Sequence, residues 1–335
     1  MSRRRIAQVL TLIASLVCVL FTLLVVVPEY RRHTALVALI DEGAEIQEKH
    51  EYCYGNGVGV DFRLPSWIRD CLPTRWAKTV LVKVDWVEIR DPLHPLSKGK
   101  RTFLDSFPEL RRIHIACKLT PADTRRLSQL PNLATLKIKF AGSSEALQQL
   151  RGMKSLQSID LYVRDPRKAD MNLLLSCPNL TSITLAGLLD LEVVAELGLH
   201  PRLKSLSLYN GAYLKDTLFL YHEQPFPKHQ FASLAAFSHL DSLYFHEFRP
   251  GDLAAVPALP SLTKLKIFGD VTLSEVQQLT RFPELDVVTI DPFATRRIQV
   301  DEIRESVKGH KLDNRFYFWL REDPIHEILV DLDCL

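Results

Sequence analysis

One short phrase recurs eight times between residues 107 and 290 and constrains the fold more than any other feature. Each copy has a leucine, then apolar residues three and five positions later, as in LPNLATLKI and LPSLTKLKI. Successive first leucines are spaced 23, 23, 24, 23, 37, 22 and 23 residues apart: Leu110, Leu133, Leu156, Leu180, Leu203, Leu240, Leu262 and Leu285. No unit of this size buries its own apolar stripe, so we expect stacked units that share one core.

Each unit is predicted to contain a strand followed by a helix. The last two apolar positions of the phrase lie two residues apart and therefore point to the same face of a strand. Helix start signals follow several phrases: Thr120 and Pro121 open TPADTRRLSQL, while SSEALQQL and TLSEVQQL place Ser or Thr ahead of Glu. These patterns predict an α/β solenoid with a parallel inner sheet and helices on the outer face.

The recurring phrase resembles the strand segment of leucine-rich repeats. The resemblance implies eight such repeats over residues 107–295, with the concave sheet face as the usual recognition surface. One departure is clear, because the Asn or Cys usual three residues after the last strand leucine is missing from all eight repeats. We therefore expect no buried Asn ladder and a less regular turn geometry.

The interval of 37 residues between Leu203 and Leu240 predicts an insertion at 209–233. Repeat insertions form loops that often carry binding residues. This one contains YHEQPFPKH, so an alternative function is a metal-dependent enzyme with His222, Glu223 and His229 as ligands, although their spacing matches no known metal motif. Otherwise it is a surface loop whose aromatic residues pack onto the neighbouring repeat: Tyr213, Phe219, Tyr221 and Phe226.

Residues 6–27 carry no charge and follow a short basic tail at 1–5. At about 1.5 Å per residue they span about 33 Å, which matches a hydrocarbon core of about 30 Å. The stretch is longer than the apolar region of a signal peptide, so we predict an uncleaved transmembrane anchor in a single-pass membrane protein. The arginines at 3–5 favour a cytoplasmic N-terminus and an extracytoplasmic repeat domain. Because Arg31 and Arg32 follow the span, a cytoplasmic scaffold is the alternative.

The flanks of the repeats are predicted as a juxtamembrane helix and loop at 28–63, an N-terminal cap and connecting loop at 64–106, and a C-terminal cap at 296–335. The loop is assigned to 87–106 for its Pro, Gly and Lys residues. The cap should contain a helix over 300–312 and strands in RFYFWL and HEILVDL.

Three entry segments, ALVALIDEGAEI, LPSWIRDCLP and WAKTVLVKVDW, resemble those of membrane-anchored leucine-rich repeat proteins of planctomycete bacteria. The resemblance implies the architecture rather than a biochemical role. Cys53 and Cys71 bracket a Gly-rich loop in a region expected outside the cytoplasm, where disulfides persist, and are a candidate pair. The remaining cysteines are expected to be unpaired apolar thiols.

The residues that flank the strand leucines should point outward and form the recognition surface. Tyrosine gives a large contact area at low entropic cost, and lysines attract acidic groups. The candidate partner-binding residues are Tyr162, Tyr209, Tyr244, His246, Phe268, Lys137, Lys139, Lys264 and Lys266. The alternative is an ordinary solvated sheet face, on which Ser and Thr are tolerated.

The most consistent function is a binding or scaffold module that recognises a protein partner, without catalysis or cofactor. The sequence lacks G-x-S-x-G, G-x-x-x-x-G-K-[ST], H-E-x-x-H and G-x-G-x-x-G. Forty-two basic and forty acidic residues leave a net charge of +2, which gives no global field to hold nucleic acid. A purely structural envelope role without a specific partner is the other possibility.

Overall fold

A computed structural model describes residues 12–13, 15–17, 19–20, 27–41, 45–48, 57–62, 82–139, 144–162, 167–213, 221–269, 271–291, 316–323 and 326–330. The strands are β1 Glu45–Glu48, β2 Gly57–Phe62, β3 Val82–Pro95, β4 Arg112–Lys118, β5 Thr135–Lys139, β6 Ser158–Tyr162, β7 Ser182–Gly187, β8 Ser205–Tyr213, β9 Tyr221–Glu223, β10 Ser242–Phe248, β11 Lys264–Gly269, β12 Val287–Asp291, β13 Phe316–Asp323 and β14 His326–Val330. The α-helices are α1 Val27–Asp41, α2 Lys98–Ser106, α3 Pro121–Ser128, α4 Ser144–Gln148, α5 Lys168–Leu175, α6 Leu191–Val194 and α7 Leu273–Gln278. The 3-10 helices are Ala195–Leu199, Lys228–Ala236, Leu253–Ala255 and Leu279–Arg281.

The eight predicted repeat strands are β4–β8 and β10–β12, and each pairs in parallel with the next. The register aligns equivalent positions of successive repeats, for example Leu136 with Ile159 and Ile138 with Leu161. β3 and β13 extend the sheet in parallel at its two sides. The expected repeating α/β fold with a parallel sheet, solenoid-like in form, is confirmed.

The eight phrase leucines lie in one continuous core, each at most 1 % exposed. Helix residues such as Leu127, Leu147 and Leu174 belong to the same core, so the helices cover the face of the sheet to which these leucines point. Backbone bonds join the repeats just ahead of each strand. The Gln157 N–H, for instance, donates to the carbonyl of Ala134, its equivalent one repeat earlier, at 2.8 Å.

Buried carboxylates organise the helical layer. Asp123 closes a capping box with Thr120, the predicted N-cap, and accepts a 2.7 Å hydrogen bond from Arg101 Nε of the preceding helix. Glu275 closes the equivalent box with Thr272 and also accepts the N–H of Gly251 at 2.7 Å. Each carboxylate therefore ties its own helix start to the previous unit.

A buried Asn stands at one place in the solenoid even though the usual ladder position is empty. Asn210, 5 % exposed, accepts the N–H of Leu189 at 3.0 Å and donates through Nδ2 to the carbonyl of Pro225 at 3.2 Å. It ties the start of the insertion to the turn of the repeat before. Asn210 lies one residue before the usual Asn position, which Gly211 occupies, so the repeat pattern does not single it out.

The prediction of a connecting loop over 87–106 is wrong. β3 continues to Pro95, and helix α2 follows, capped by Ser97, whose hydroxyl accepts the N–H of Lys100 at 3.1 Å. Phe103 and Leu104 are buried on this helix. A good cap and two buried side chains outweigh the Gly and Lys residues that suggested a loop.

The segment at 28–63 also holds more regular structure than predicted. Helix α1 begins at Val27 and ends at Asp41, and the expected loop contains β1 and β2. α1 packs on the first unit through buried Leu36 and Leu39. Arg32 reinforces this contact, since its guanidinium lies 3.1 Å from a carboxylate oxygen of Glu109.

Most of the predicted anchor at 6–27 lies outside the described residues. The described positions between 12 and 20 are helical, and their apolar side chains are 44–70 % exposed: Leu12, Ile13, Leu16, Val17, Val19 and Leu20. Within the described parts of the chain, no helix has the length and apolar character needed to cross a bilayer.

Of the remaining predictions, mostly for the terminal regions, some are confirmed and others fall outside the described residues. The strands expected in RFYFWL and HEILVDL are confirmed as β13 and β14, which pair antiparallel. Cys53, Cys71 and the helix expected at 300–312 lie outside the described residues. Cys117 and Cys177 are both buried in the core, as expected for apolar thiols, and Cys177 is a free thiol.

Candidate binding surface on the open face of the sheet

Side chains on the face opposite the helices form three rows across the eight repeat strands, which together we call the open face. The first row is mainly hydroxylated: Arg112, Thr135, Ser158, Ser182, Ser205, Ser242, Lys264 and Val287. The second carries its charged residues towards both sides of the sheet: His114, Lys137, Asp160, Thr184, Ser207, Tyr244, Lys266 and Thr289. The third carries most of the aromatic residues: Ala116, Lys139, Tyr162, Ala186, Tyr209, His246 and Phe268.

Three rings of the third row stack on one another. The centroids of Tyr209 and His246 lie 3.6 Å apart at 23°, and those of His246 and Phe268 lie 3.9 Å apart at 18°. We call these three residues the aromatic stack. All three are half-buried, whereas the apolar residues beside them in the strands, such as Leu208 and Ile267, are fully buried in the core. The stack is thus an aromatic cluster outside the core, on the solvent-facing side of the sheet.

His246 is the electrostatic centre of the stack. Its Nε2 atom is buried and has no hydrogen-bond partner among the described residues. Burial and, to a smaller extent, the positive charge of Lys266 together lower the pKa of His246 from 6.5 to about 3. The imidazole is therefore neutral at physiological pH, and it holds a buried polar atom that costs about 1–3 kcal/mol when left unpaired.

The predicted lysines lie against aromatic rings. Lys266 Nζ is 4.5 Å from the ring centroid of Phe268, and the amines of Lys139 and Lys137 are 5.6 and 5.9 Å from that of Tyr162. These distances are within the range of cation–π attraction. Lys137 Nζ also lies 3.7 Å from Asp160. Lys264 differs from the other three because it is exposed.

A second histidine, His114, lies on β4, at the edge of the repeat sheet far from the aromatic stack. His114 Nδ1 is 2.5 Å from a carboxylate oxygen of Glu88, which is in register with it on β3. Burial lowers the pKa of His114, against the opposing effect of Glu88. Its Nε2 is buried and has no hydrogen-bond partner among the described residues. The Glu88 carboxylate therefore orients an imidazole whose other nitrogen is not accessible to solvent.

The insertion begins as a hairpin at the C-terminal end of strand β8. β8 extends to Tyr213 and pairs antiparallel with β9, where Ala212 is opposite His222 and Gly211 opposite Glu223. Beyond the hairpin, Phe226 packs into the core, with ring centroids 6.0 Å from Phe231 and 6.2 Å from Phe245. The predicted packing of the insertion onto its neighbour is confirmed for Phe226, while Phe219 lies outside the described residues.

The metal-site alternative rests on three residues of this insertion. His229 is exposed at the start of the 3-10 helix Lys228–Ala236, and His222 and Glu223 are adjacent on β9. In the described part of the chain, no group of three His, Cys, Asp or Glu residues is arranged to hold a metal ion. The side chains of His222 and Glu223 are not described, so the alternative stays a prediction.

The sequence identified the members of the stack but not the contact between them. Tyr209 and His246 are 37 residues apart, which equals the long interval between Leu203 and Leu240, so both occupy the same position in their units. The equal spacing could have predicted the contact, because it places the two rings on neighbouring strands despite the insertion between them.

The chain was also compared with known proteins. No protein-family model matches it, and no curated protein is significantly similar to it. Its function is therefore argued from the open face itself.

Proposed function

We propose that the chain is a leucine-rich repeat binding protein, anchored in a membrane by residues 6–27, which recognises a protein partner through the open face and performs no catalysis. The proposal follows the resemblance to the membrane-anchored repeat proteins of planctomycete bacteria. The observation that carries it is the aromatic stack of Tyr209, His246 and Phe268, which lies outside the core on the face without helices.

The stack has features of a contact surface rather than of a solvated sheet. Aromatic residues supply most hot spots at protein interfaces, where they are surrounded by contacts that exclude water. Tyr162 and Tyr244 add two further half-buried rings, and hydroxylated residues fill the first row beside them. An unpaired buried nitrogen at the centre of the stack has no structural benefit for the free chain, since a Phe ring could stack there without that cost.

Membrane attachment is supported by the exposed apolar side chains between residues 12 and 20. A helix that is apolar on all sides is stable only when protein or lipid surrounds it. Helix α1 follows directly and packs on the first unit, so the repeats would be held close to the bilayer without a long linker. We propose an extracytoplasmic position, and a topology reporter fused to the C-terminus distinguishes it from a cytoplasmic scaffold.

Site-specific photo-cross-linking in intact cells tests the proposed binding. The full-length chain would carry a photoreactive amino acid in place of Tyr244, or, as a matched control, in place of Glu145, which is exposed on helix α4. We expect a discrete protein adduct from the first position only. Adding Tyr162→Ala and Tyr209→Ala should remove at least nine-tenths of the adduct.

Equal adducts from both positions would show that the chain only meets its neighbours by chance. Absence of any adduct at the open face would contradict the proposal directly. Western analysis of membrane fractions confirms that each variant accumulates to the same level.

A further inference from the structure

The charge of the molecule is unevenly distributed, and this points to the chemistry of the partner. Over the whole chain basic and acidic residues nearly balance. Among the described side chains, however, the open face carries five basic residues and one acidic one: Arg112, Lys137, Lys139, Lys264 and Lys266 against Asp160. A local excess of this kind favours an acidic ligand even though the protein has no strong overall field.

We infer that the open face binds an extended acidic polypeptide segment, with one acidic cluster at the lysine pair on β5 and another at the lysine pair on β11. The inference rests on the proposed function and names the partner's chemistry. The pairs are Lys137 with Lys139 and Lys264 with Lys266. The hydroxylated residues of the first row and the Tyr209 and His246 rings of the aromatic stack lie on the strands between them and contact the middle of the segment.

The register fixes the spacing of the two acidic clusters. Five strand-to-strand steps separate β5 from β11, along the order β5, β6, β7, β8, β10, β11. At about 4.8 Å per step the lysine pairs are about 24 Å apart, which an extended chain crosses in about seven residues at about 3.4 Å each. A partner segment should therefore carry acidic groups about seven residues apart.

The lysines are positioned before the ligand arrives. Three of them lie over aromatic rings at 4.5–5.9 Å, which limits the freedom that binding would otherwise remove. An ammonium group has three donors and can donate to a carboxylate while it remains over a ring. Tyrosine and serine hydroxyls between the pairs supply hydrogen bonds that suit a peptide backbone.

The geometry favours a narrow chain over a membrane surface. The side chain of Lys137 is only 33 % exposed and lies beside that of Asp160. A flat layer of headgroups would meet exposed Lys264 first and reach the β5 pair with difficulty. A peptide can follow the rows from one pair to the other.

Binding of synthetic peptides to the full-length chain in zwitterionic nanodiscs tests the inference. The first fluorescent peptide has two Asp-Glu pairs whose centres are seven residues apart, separated by Gly, Ser and one Tyr. The second has the same composition with the two pairs adjacent. We expect at least tenfold tighter binding of the spaced peptide, measured by fluorescence anisotropy at physiological salt.

Charge reversal at either lysine pair, Lys137→Glu with Lys139→Glu or Lys264→Glu with Lys266→Glu, should weaken binding of the spaced peptide at least tenfold. The matched control is Lys98→Glu with Lys154→Glu, which makes the same change of charge at exposed positions away from the open face and should change the affinity less than twofold. Melting temperatures of all variants identify any that fail to fold.

Equal affinity for the two peptides, or an equal effect of the control reversal, would overturn the inference, because binding would then follow total charge alone. Tighter association with anionic phosphatidylglycerol nanodiscs than with the spaced peptide would overturn it in favour of a lipid surface. The cross-link from Tyr244 is independent of these results. If it forms while the peptides fail, the proposed function stands and only the acidic chemistry is wrong.

Discussion

Two histidines of neighbouring units, one in the turn before a strand and one on the open face, differ in whether their ring nitrogens have hydrogen-bond partners. His200 is 1 % exposed, and both of its ring nitrogens are satisfied: Nδ1 accepts the N–H of Arg202 at 3.2 Å, and Nε2 donates to the carbonyl of Cys177 at 2.9 Å. His246 is half-buried between two rings, and its Nε2 has no partner in the described structure. The first joins one repeat to the next, while the second adds a buried polar atom without stabilising the fold.

The position within the repeat explains the difference. His200 begins its phrase three residues before Leu203, in the turn that leads to the strand, where the previous repeat offers backbone partners. His246 follows the last core residue of its phrase, Phe245, and therefore points to the open face. Residues that lower stability and lie on a surface are candidates for function, because the fold does not require them.

Replacing the structural histidine should produce the largest effect. His200→Phe removes the hydrogen bond to the Cys177 carbonyl, which keeps only the one it accepts from the Leu180 N–H. It also takes the acceptor from the N–H of Arg202. At about 0.5–1.5 kcal/mol for each lost bond, we expect the free energy of unfolding to fall by about 1–3 kcal/mol, seen as a clear drop in melting temperature. His229→Phe, at an exposed position, is the control and should leave the melting temperature nearly unchanged. A similar small effect at His200 would show that its two hydrogen bonds contribute little.

The comparison also shows which features a sequence can predict. The first leucines and the strand apolar positions were predictable because the period fixes which positions face the core, and all eight leucines are buried. The members of the three rows follow from the same alternation. Helix α2 was missed because its evidence is a single cap at Ser97 and two apolar residues, which the flanking Pro and Gly residues obscured. The pairing of His114 with Glu88 was missed because β3 lies outside the repeat pattern.

The second substitution, His246→Phe, should distinguish the two histidines most clearly through the pH dependence of stability. His246→Phe keeps a ring in the stack and removes the unpaired nitrogen, so at pH 7 we expect unchanged stability or a gain of up to about 1 kcal/mol. The pKa of His246 is about 3 in the folded chain and 6.5 in the unfolded chain. Between these values the unfolded state takes up a proton that the folded state does not, so the wild type loses stability as pH falls from 6.5 towards 3.

The variant lacks this loss, so its advantage in melting temperature should grow between pH 7 and pH 4. Asp123, whose pKa is lowered by its bonds to Arg101 and Thr120 despite burial, also costs stability in acid, but equally in both proteins. Parallel melting curves over the whole range would show that His246 is protonated in the folded chain and is not shielded by the stack.

The smallest effect is expected from the lysine beside the stack. Lys266→Met removes the ammonium that lies 4.5 Å from the Phe268 ring, a cation–π contact of about 0.5–1 kcal/mol. It also removes the charge that acts with burial to lower the pKa of His246. Because burial is the larger cause, the pKa should rise from about 3 but remain below 6.5, and the acid loss of stability should become shallower. NMR titration of the His246 ring measures this shift, and Lys264→Met, on the same strand, should leave it in place. A shift of equal size in both variants would mean that general surface charge, rather than the neighbouring lysine, sets the protonation of the stack.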